Sequence, residues 1–241
     1  MQIYGKTDKG PIRHSNQDAF VTGTLTDGAV YAAVCDGMGG ANGGNIASET
    51  AARCISEYIR SSYRPTMDGF DIEKMLKNAI VSANIEIYDL SLKREDLSGM
   101  GTTVVAVVVK NGNAVIAHVG DSRAYLINEK ITQLTRDHSV VQGLVESGKI
   151  SAQDAKFHPR KNVITRALGV EENVIVDCDE ITLGEDSSLL LCTDGMSGYA
   201  DESDILEVFK MSEAEKIPEA LTALAIAGGG GNNITVVVVT E

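Results

Sequence analysis

Two short stretches of this chain end an apolar run in Asp-Gly: Val34-Cys35-Asp36-Gly37-Met38-Gly39-Gly40 and Leu191-Cys192-Thr193-Asp194-Gly195-Met196-Ser197-Gly198. The runs that lead into them, Val30 to Cys35 and Ser188 to Cys192, have the composition of buried strands. A strand that ends in this way carries its carboxylate out of the core at a turn, where glycine lets backbone approach a ligand closely. Two such carboxylates brought to one place would suit a hard cation bound through oxygen. No nucleophilic side chain competes with this reading. Cys54 and Arg60 have the Cys-x5-Arg spacing of a phosphate-binding thiolate loop, but Ile55-Ser56-Glu57-Tyr58-Ile59 contains no glycine and continues a helical pattern.

The elements that must position these residues follow from periodicity. Ile46, Ala47, Thr50, Ala51, Cys54, Ile55, Tyr58 and Ile59 recur at helix spacing, as do Ile72, Met75, Leu76, Ala79, Ile80 and Ala83; helices are expected near 43–62 and 71–93. Thr102 to Val109 and Ala114 to Val119 flank an Asn-Gly turn and read as a hairpin. Further strands are expected at Ala124 to Asn128, 174–183, 187–192 and Ile234 to Thr240. Helical patterns cover 202–211 and 214–227, the second expected to be N-capped near Ser212. Segment 137–170 is polar and weakly periodic, and reads as a flap or lid inserted in a single domain spanning 1–241. Strand blocks and helix blocks are segregated, which favours an α+β layered domain over a doubly wound one.

Composition excludes several classes. The net charge of −13 and the absence of a Lys/Arg stripe argue against nucleic acid. Apolar runs such as Val104 to Val109 are far short of the ~20 residues of a membrane helix, and Met1-Gln2-Ile3-Tyr4-Gly5-Lys6 has no apolar leader segment. A cytoplasmic protein without membrane association is expected. The four cysteines form no Cys-x-x-Cys pair, so neither zinc nor a redox dithiol is indicated.

Seven segments taken in order resemble the metal-dependent serine/threonine protein phosphatases of type 2C, with Met38 similar to the bacterial branch. They are Arg13-His14-Ser15-Asn16-Gln17-Asp18, Asp36-Gly37-Met38-Gly39-Gly40, Gly99-Met100-Gly101-Thr102-Thr103, Ala117-His118-Val119-Gly120-Asp121-Ser122-Arg123, Asp137-His138-Ser139, Asp194-Gly195 and Asn232-Asn233-Ile234-Thr235-Val236. The resemblance implies a four-layer sandwich of two antiparallel β-sheets flanked by helix pairs, with two Mg²⁺ or Mn²⁺ ions, and room for a third, at one end. It implies hydrolysis of phosphoserine and phosphothreonine in proteins by a metal-bridged water. In such a site Asp36 bridges both ions, the Gly37 carbonyl binds the second, and Asp194 binds the first and joins Asp121 around a third. Asp18 orders metal-bound water, and Arg13 grips the substrate phosphate. The family often opposes a serine/threonine kinase, so a kinase and its substrates are the implied partners.

Two departures qualify the resemblance. Met38 stands where eukaryotic members carry a histidine thought to protonate the leaving group, which leaves the general acid unassigned. His138 and His158 lie among polar loop residues, where solvation or local capping is the ordinary reading. The family's last motif begins Asp-Asn, whereas this chain reads Asn232-Asn233. An amide oxygen at 232 can still bind the first ion but brings no charge. The alternative function is therefore a catalytically weakened phosphoprotein-binding or regulatory module on the same fold.

Overall fold

The computed structural model describes residues 1–184 and 186–240, with backbone alone for Ala41 and Asn42. The chain begins with strands β1 (Gln2–Asp8), β2 (Asp18–Thr24) and β3 (Val30–Met38), followed by the long helices α1 (Gly40–Ser62) and α2 (Gly69–Lys93). Next come β4 (Gly101–Thr102), β5 (Val104–Lys110), β6 (Asn113–Val119), β7 (Arg123–Ile127) and β8 (Ile131–Gln133). Short helices α3 (Val140–Glu146) and α4 (Ala152–Ala155) lie within segment 137–170. The remainder is β9 (Asp177–Thr182), β10 (Ser188–Cys192), α5 (Asp194–Ser197), α6 (Glu202–Met211), α7 (Ile217–Ala227) and β11 (Ile234–Thr240).

All pairings are antiparallel, in two sheets ordered β1-β11-β10-β7-β8 and β2-β3-β5-β6-β9, with β4 on β3. The unbroken apolar runs have a simple cause: alternate side chains of each central strand enter different layers. From β3 and β5, Val30, Ala32, Val34, Val105, Val107 and Val109 meet Leu189, Leu191, Val237 and Val239 between the sheets. Their neighbours Tyr31, Ala33, Cys35, Val104, Ala106 and Val108 pack beneath α1 and α2. On the opposite face Leu190, Val236 and Val238 pack beneath α5, α6 and α7. The four-layer sandwich flanked by helices is thus the observed architecture.

Several local expectations need correction. β3 does not stop at Cys35; it runs through Asp36 and Gly37 to Met38 because Gly37 pairs with Thr102 and Met38 with Gly101. Asp194 opens α5 rather than a plain turn. Ser212 caps no helix start. It closes α6, and α7 begins without a side-chain cap, using Pro218 in its first turn. The edge strands β1, β8 and β2 had no clear signature in the sequence.

Segment 137–170 is pinned at its far end through α2. Buried Asn84 accepts from Gly169 N–H (2.8 Å) and donates to the carbonyls of Glu171 (3.1 Å) and Glu172 (3.0 Å). Replacing Asn84 with Ala leaves the Gly169 amide buried without its acceptor, a loss of about 1–3 kcal/mol. Urea unfolding of Asn84→Ala should show it as a lower midpoint at unchanged slope, and an unchanged midpoint would mean that this anchor is dispensable.

Candidate metal-binding active site

The same alternation that fills the core places the acidic residues. Asp36 shares the inner face of β3 with Val34, and Asp18 lies directly opposite it on β2. From the other sheet Thr193 continues the inner-facing series of Leu189 and Leu191, and Thr235 that of Val237 and Val239. All four side chains therefore meet between the sheets, at the end where the sandwich opens. Asp18 ties the two layers together: its Oδ2 accepts from Thr193 Oγ1 at 2.9 Å and Thr235 Oγ1 at 2.7 Å. Its Oδ1 is buried with no hydrogen-bond partner among the described residues.

Two further carboxylates join from connections at this end. Asp121 sits in the turn that carries the chain from β6 in one sheet to β7 in the other. Asp194 follows β10 at the first position of α5. A cleft of about 430 Å³ opens over them, lined by Arg13, Gln17, Asp36, Gly37, Asp121 and Asp194 with Asn232 at its side. Asp18 stands behind the floor rather than on the wall. Gly37 must be glycine, since a Cβ there would run into the Gly44 and Gln17 carbonyls where α1 begins. Arg13, in the loop between β1 and β2, is exposed at the rim and donates from Nε to the Gly231 carbonyl at 3.2 Å.

Packing these acids together is electrostatically costly. Burial first, then the carboxylates of Asp18, Asp194 and Asp121, hold the Asp36 pKa well above its ordinary value, and Asp194 can hydrogen-bond its protonated form. Burial raises Asp18 to about 7 against the two threonine hydrogen bonds, with Asp194 adding to the rise and Arg13 opposing it. Asp121 is likewise pushed up to about 7, by burial and then by Asp194 and Asp137. An all-oxygen donor set, an orphaned buried carboxylate oxygen and mutual repulsion with little nearby positive charge together fit hard divalent cations such as Mg²⁺ or Mn²⁺.

Asn232 takes a defined place in this cluster. Its Oδ1 accepts from the Asn233 backbone N–H at 2.9 Å, so its amide nitrogen faces Asp194 and donates to Oδ1 at 2.6 Å. In this orientation the amide steadies Asp194. Asn233 braces the loop from the other side. Its Oδ1 accepts from Gln17 N–H, and its amide donates to the Lys9 and Ser15 carbonyls.

All seven residues singled out in the sequence gather at this end. Sequence reasoning gave no role to Thr103, whose Oγ1 accepts from Asp36 N–H at 3.0 Å and hydrogen-bonds Ser122 Oγ at 2.6 Å. Thr193, Thr235, Gln17 and Asn233 were missed likewise, although strand parity alone places the first two. Asn162 and Ile164 bring segment 137–170 to the cleft wall. His138 is buried rather than solvated, while His158 accepts locally from Arg160 N–H. Cys54 lies within α1, donates to Glu86 Oε2, and is pushed up to about 12, chiefly by burial, so it is no nucleophile.

Comparison with known proteins agrees with this geometry. The family model for protein phosphatase 2C matches residues 13–224. A serine/threonine phosphatase stp of Listeria monocytogenes is 41% identical over 237 residues, covering 97% of this chain and 93% of that protein. A solved structure of the S. agalactiae serine/threonine phosphatase superposes with a TM-score of 0.93 at 33% identity, over 100% of this chain and 99% of that one. The catalytic domain of the phosphatase PstP, solved with 2 manganese ions, superposes at 0.86 with 31% identity, over 98% of this chain and 96% of that one. The chain belongs to the protein phosphatase 2C family.

The raised carboxyls make stability depend on pH. Between the ordinary Asp value of 3.8 and about 7 the folded state holds protons on Asp18 and Asp121 that the unfolded chain has released. Stability conferred below that window is lost as pH rises through it. In EDTA the melting temperature should fall from pH 5 to pH 8, and Asp121→Asn should flatten part of the fall. A pH-independent melting temperature in both proteins would contradict the electrostatic account.

Proposed function

We propose that this protein hydrolyses phosphoserine and phosphothreonine in proteins, using Mg²⁺ or Mn²⁺ held in the acidic cleft. The observation that carries this reading is the convergence of Asp18, Asp36, Asp121 and Asp194 from both sheets on one open end, with Arg13 above them. Bound divalent ions supply positive charge against the phosphoryl oxygens and acidify water, which removes the need for a side-chain nucleophile.

The chain's own residues divide the remaining work. Asp36 and the Gly37 carbonyl lie at the centre, Asp194 and Asp121 on the far side, and each offers oxygen toward the cleft. Arg13 reaches substrate phosphate from the rim, where its exposed guanidinium keeps donors free beyond the single bond from Nε. Asp18, fixed by two threonine hydroxyls, keeps its other oxygen without a hydrogen-bond partner among the described residues, and that oxygen would order water once cations are bound. Asn232 reduces the local negative charge and holds Asp194 by its amide nitrogen, which favours a working site of reduced cation affinity over an inert binding module. Segment 137–170 acts as a flap that shapes access for the phosphoprotein, with Asn162 and Ile164 on its cleft side. The protein works in the cytoplasm, against a serine/threonine kinase and that kinase's substrates. No helix among the described residues is long and apolar enough to cross a membrane.

Hydrolysis of p-nitrophenyl phosphate and of a phosphothreonine peptide should require Mn²⁺ or Mg²⁺ and stop in EDTA. Asp36→Asn should abolish both, because one neutralised carboxylate weakens every cation site that it touches. Metal-independent turnover, or an Asp36→Asn variant that keeps most of its rate, would refute the proposal.

The substitution Asn232→Asp exchanges a donor to Asp194 for another carboxylate. Activity at limiting Mn²⁺ should rise about tenfold or more, and the melting temperature in EDTA should fall as a further repulsion is introduced. No change in either quantity would remove position 232 from the site.

A further inference from the structure

The dipeptide Asp137-His138 stands outside the cleft yet grips the turn that carries Asp121 from both sides. Before Asp121, Gly120 N–H donates to His138 Nδ1 at 3.0 Å, and His138 N–H returns a bond to the Gly120 carbonyl at 2.9 Å. After Asp121, Arg123 donates from Nε and Nη2 to both oxygens of Asp137, the shortest at 2.7 Å. Between them Ser122 is fastened to Thr103, which also accepts from Asp36 N–H. Every neighbour of Asp121 is held, while its own side chain faces the cleft. Gly120 itself has a φ of 107°, a conformation that side chains rarely adopt, so the turn needs outside support to keep one shape.

His138 is in turn held by groups that leave it one role. Its ring is stacked on His118 with centroids 4.8 Å apart and planes 12° apart. Its Nε2 lies 3.1 Å from Asp177 Oδ2, whose other oxygen takes Arg166 Nη1 at 2.8 Å. With Nδ1 accepting from Gly120, the proton sits on Nε2 and points at Asp177. His118, His138 and Asp177 come close enough to suggest a metal site, but the geometry opposes one. Lone pairs lie in the ring planes, and nearly parallel stacked rings cannot aim theirs at one ion. The position of the cation is already taken by Arg166, 3.2 Å from His138 Nε2.

We propose that His138 is a positioning residue for the cation site, acting through Gly120 to hold Asp121 in the cleft. This rests on the reading of Asp121 as a cation ligand. Because His138 opens segment 137–170, and Arg166 and Asp177 lie at that segment's return, the root of the flap and the Asp121 turn are one hydrogen-bonded unit.

Isothermal titration of the full chain with Mn²⁺ tests this, using His138→Ala, His138→Asn, His138→Gln and Asp121→Asn. Asn places an oxygen near Nδ1 and keeps the Gly120 acceptor; Gln reaches toward Asp177 and does not. The Mn²⁺ binding that Asp121→Asn weakens should lose about tenfold in affinity in His138→Ala, lose no more than about twofold in His138→Asn, and stay impaired in His138→Gln. Asn84→Ala, which loosens the flap's other end, should leave Mn²⁺ affinity unchanged. If His138→Ala does not fold, the comparison of Asn with Gln still decides. Equal affinities in the two, or better binding by Gln, overturn the proposal. If Asp121→Asn weakens Mn²⁺ binding while His138→Ala and His138→Asn bind as the wild type does, the latch is wrong and the Asp121 reading stands. If Asp121→Asn itself binds Mn²⁺ normally, the reading of Asp121 falls and takes the proposal with it.

Discussion

Mutual repulsion among carboxyls that the two sheets force together is the constraint on which the rest of this structure depends. Asp18 and Asp36 face each other across β2 and β3, and Asp194 and Asp121 arrive from the opposite layer and from the turn between layers. Burial magnifies the repulsion, which is why three of the four carboxyls are pushed far above the ordinary range. A core built for stability alone would place apolar residues here. The cluster persists because every surrounding group is fixed by something else, and because a divalent cation offsets the charge.

The supporting groups show how that fixation is distributed. Thr193 and Thr235 donate to Asp18 across the layers, so the hydrogen bonds that orient this carboxylate also tie the two sheets together at this end. Thr103 performs the matching task within one sheet, joining the Asp36 backbone to the Asp121 turn. Asn232 and Asn233 hold Asp194 and the Arg13 loop through amide groups that add no charge. The site is therefore rigid on its sheet side. Its outer wall is supplied by segment 137–170, whose two ends are bonded into the body at His138 and at Gly169.

Much of this was legible in the sequence where one rule acts alone. The helices at 43–62 and 71–93 match α1 and α2 to within three residues at their starts because their apolar faces are regular and packed on one sheet. The strands of the core were visible as apolar runs because both of their faces are covered. β1, with Gln2, Tyr4, Lys6 and Asp8 along an edge, gave no such run, and α3 and α4 are too short and too exposed to leave a periodic pattern. Asp36 and Asp194 stood out by their Asp-Gly context, whereas Asp121 and Asp18 came only with the family resemblance. The threonines did not, since Thr103, Thr193 and Thr235 look like ordinary β-branched strand residues until the two sheets are stacked. His138 was misread for a related reason: its polar neighbours in sequence are not its neighbours in space.

The most direct test of the account is where cations bind. Crystals of the protein soaked in Mn²⁺ and measured at the manganese absorption edge should show two anomalous peaks ~3.5–4 Å apart, flanked by Asp36, the Gly37 carbonyl and Asp194. Absence of peaks in that cleft, or density at His118, His138 and Asp177 instead, would contradict it.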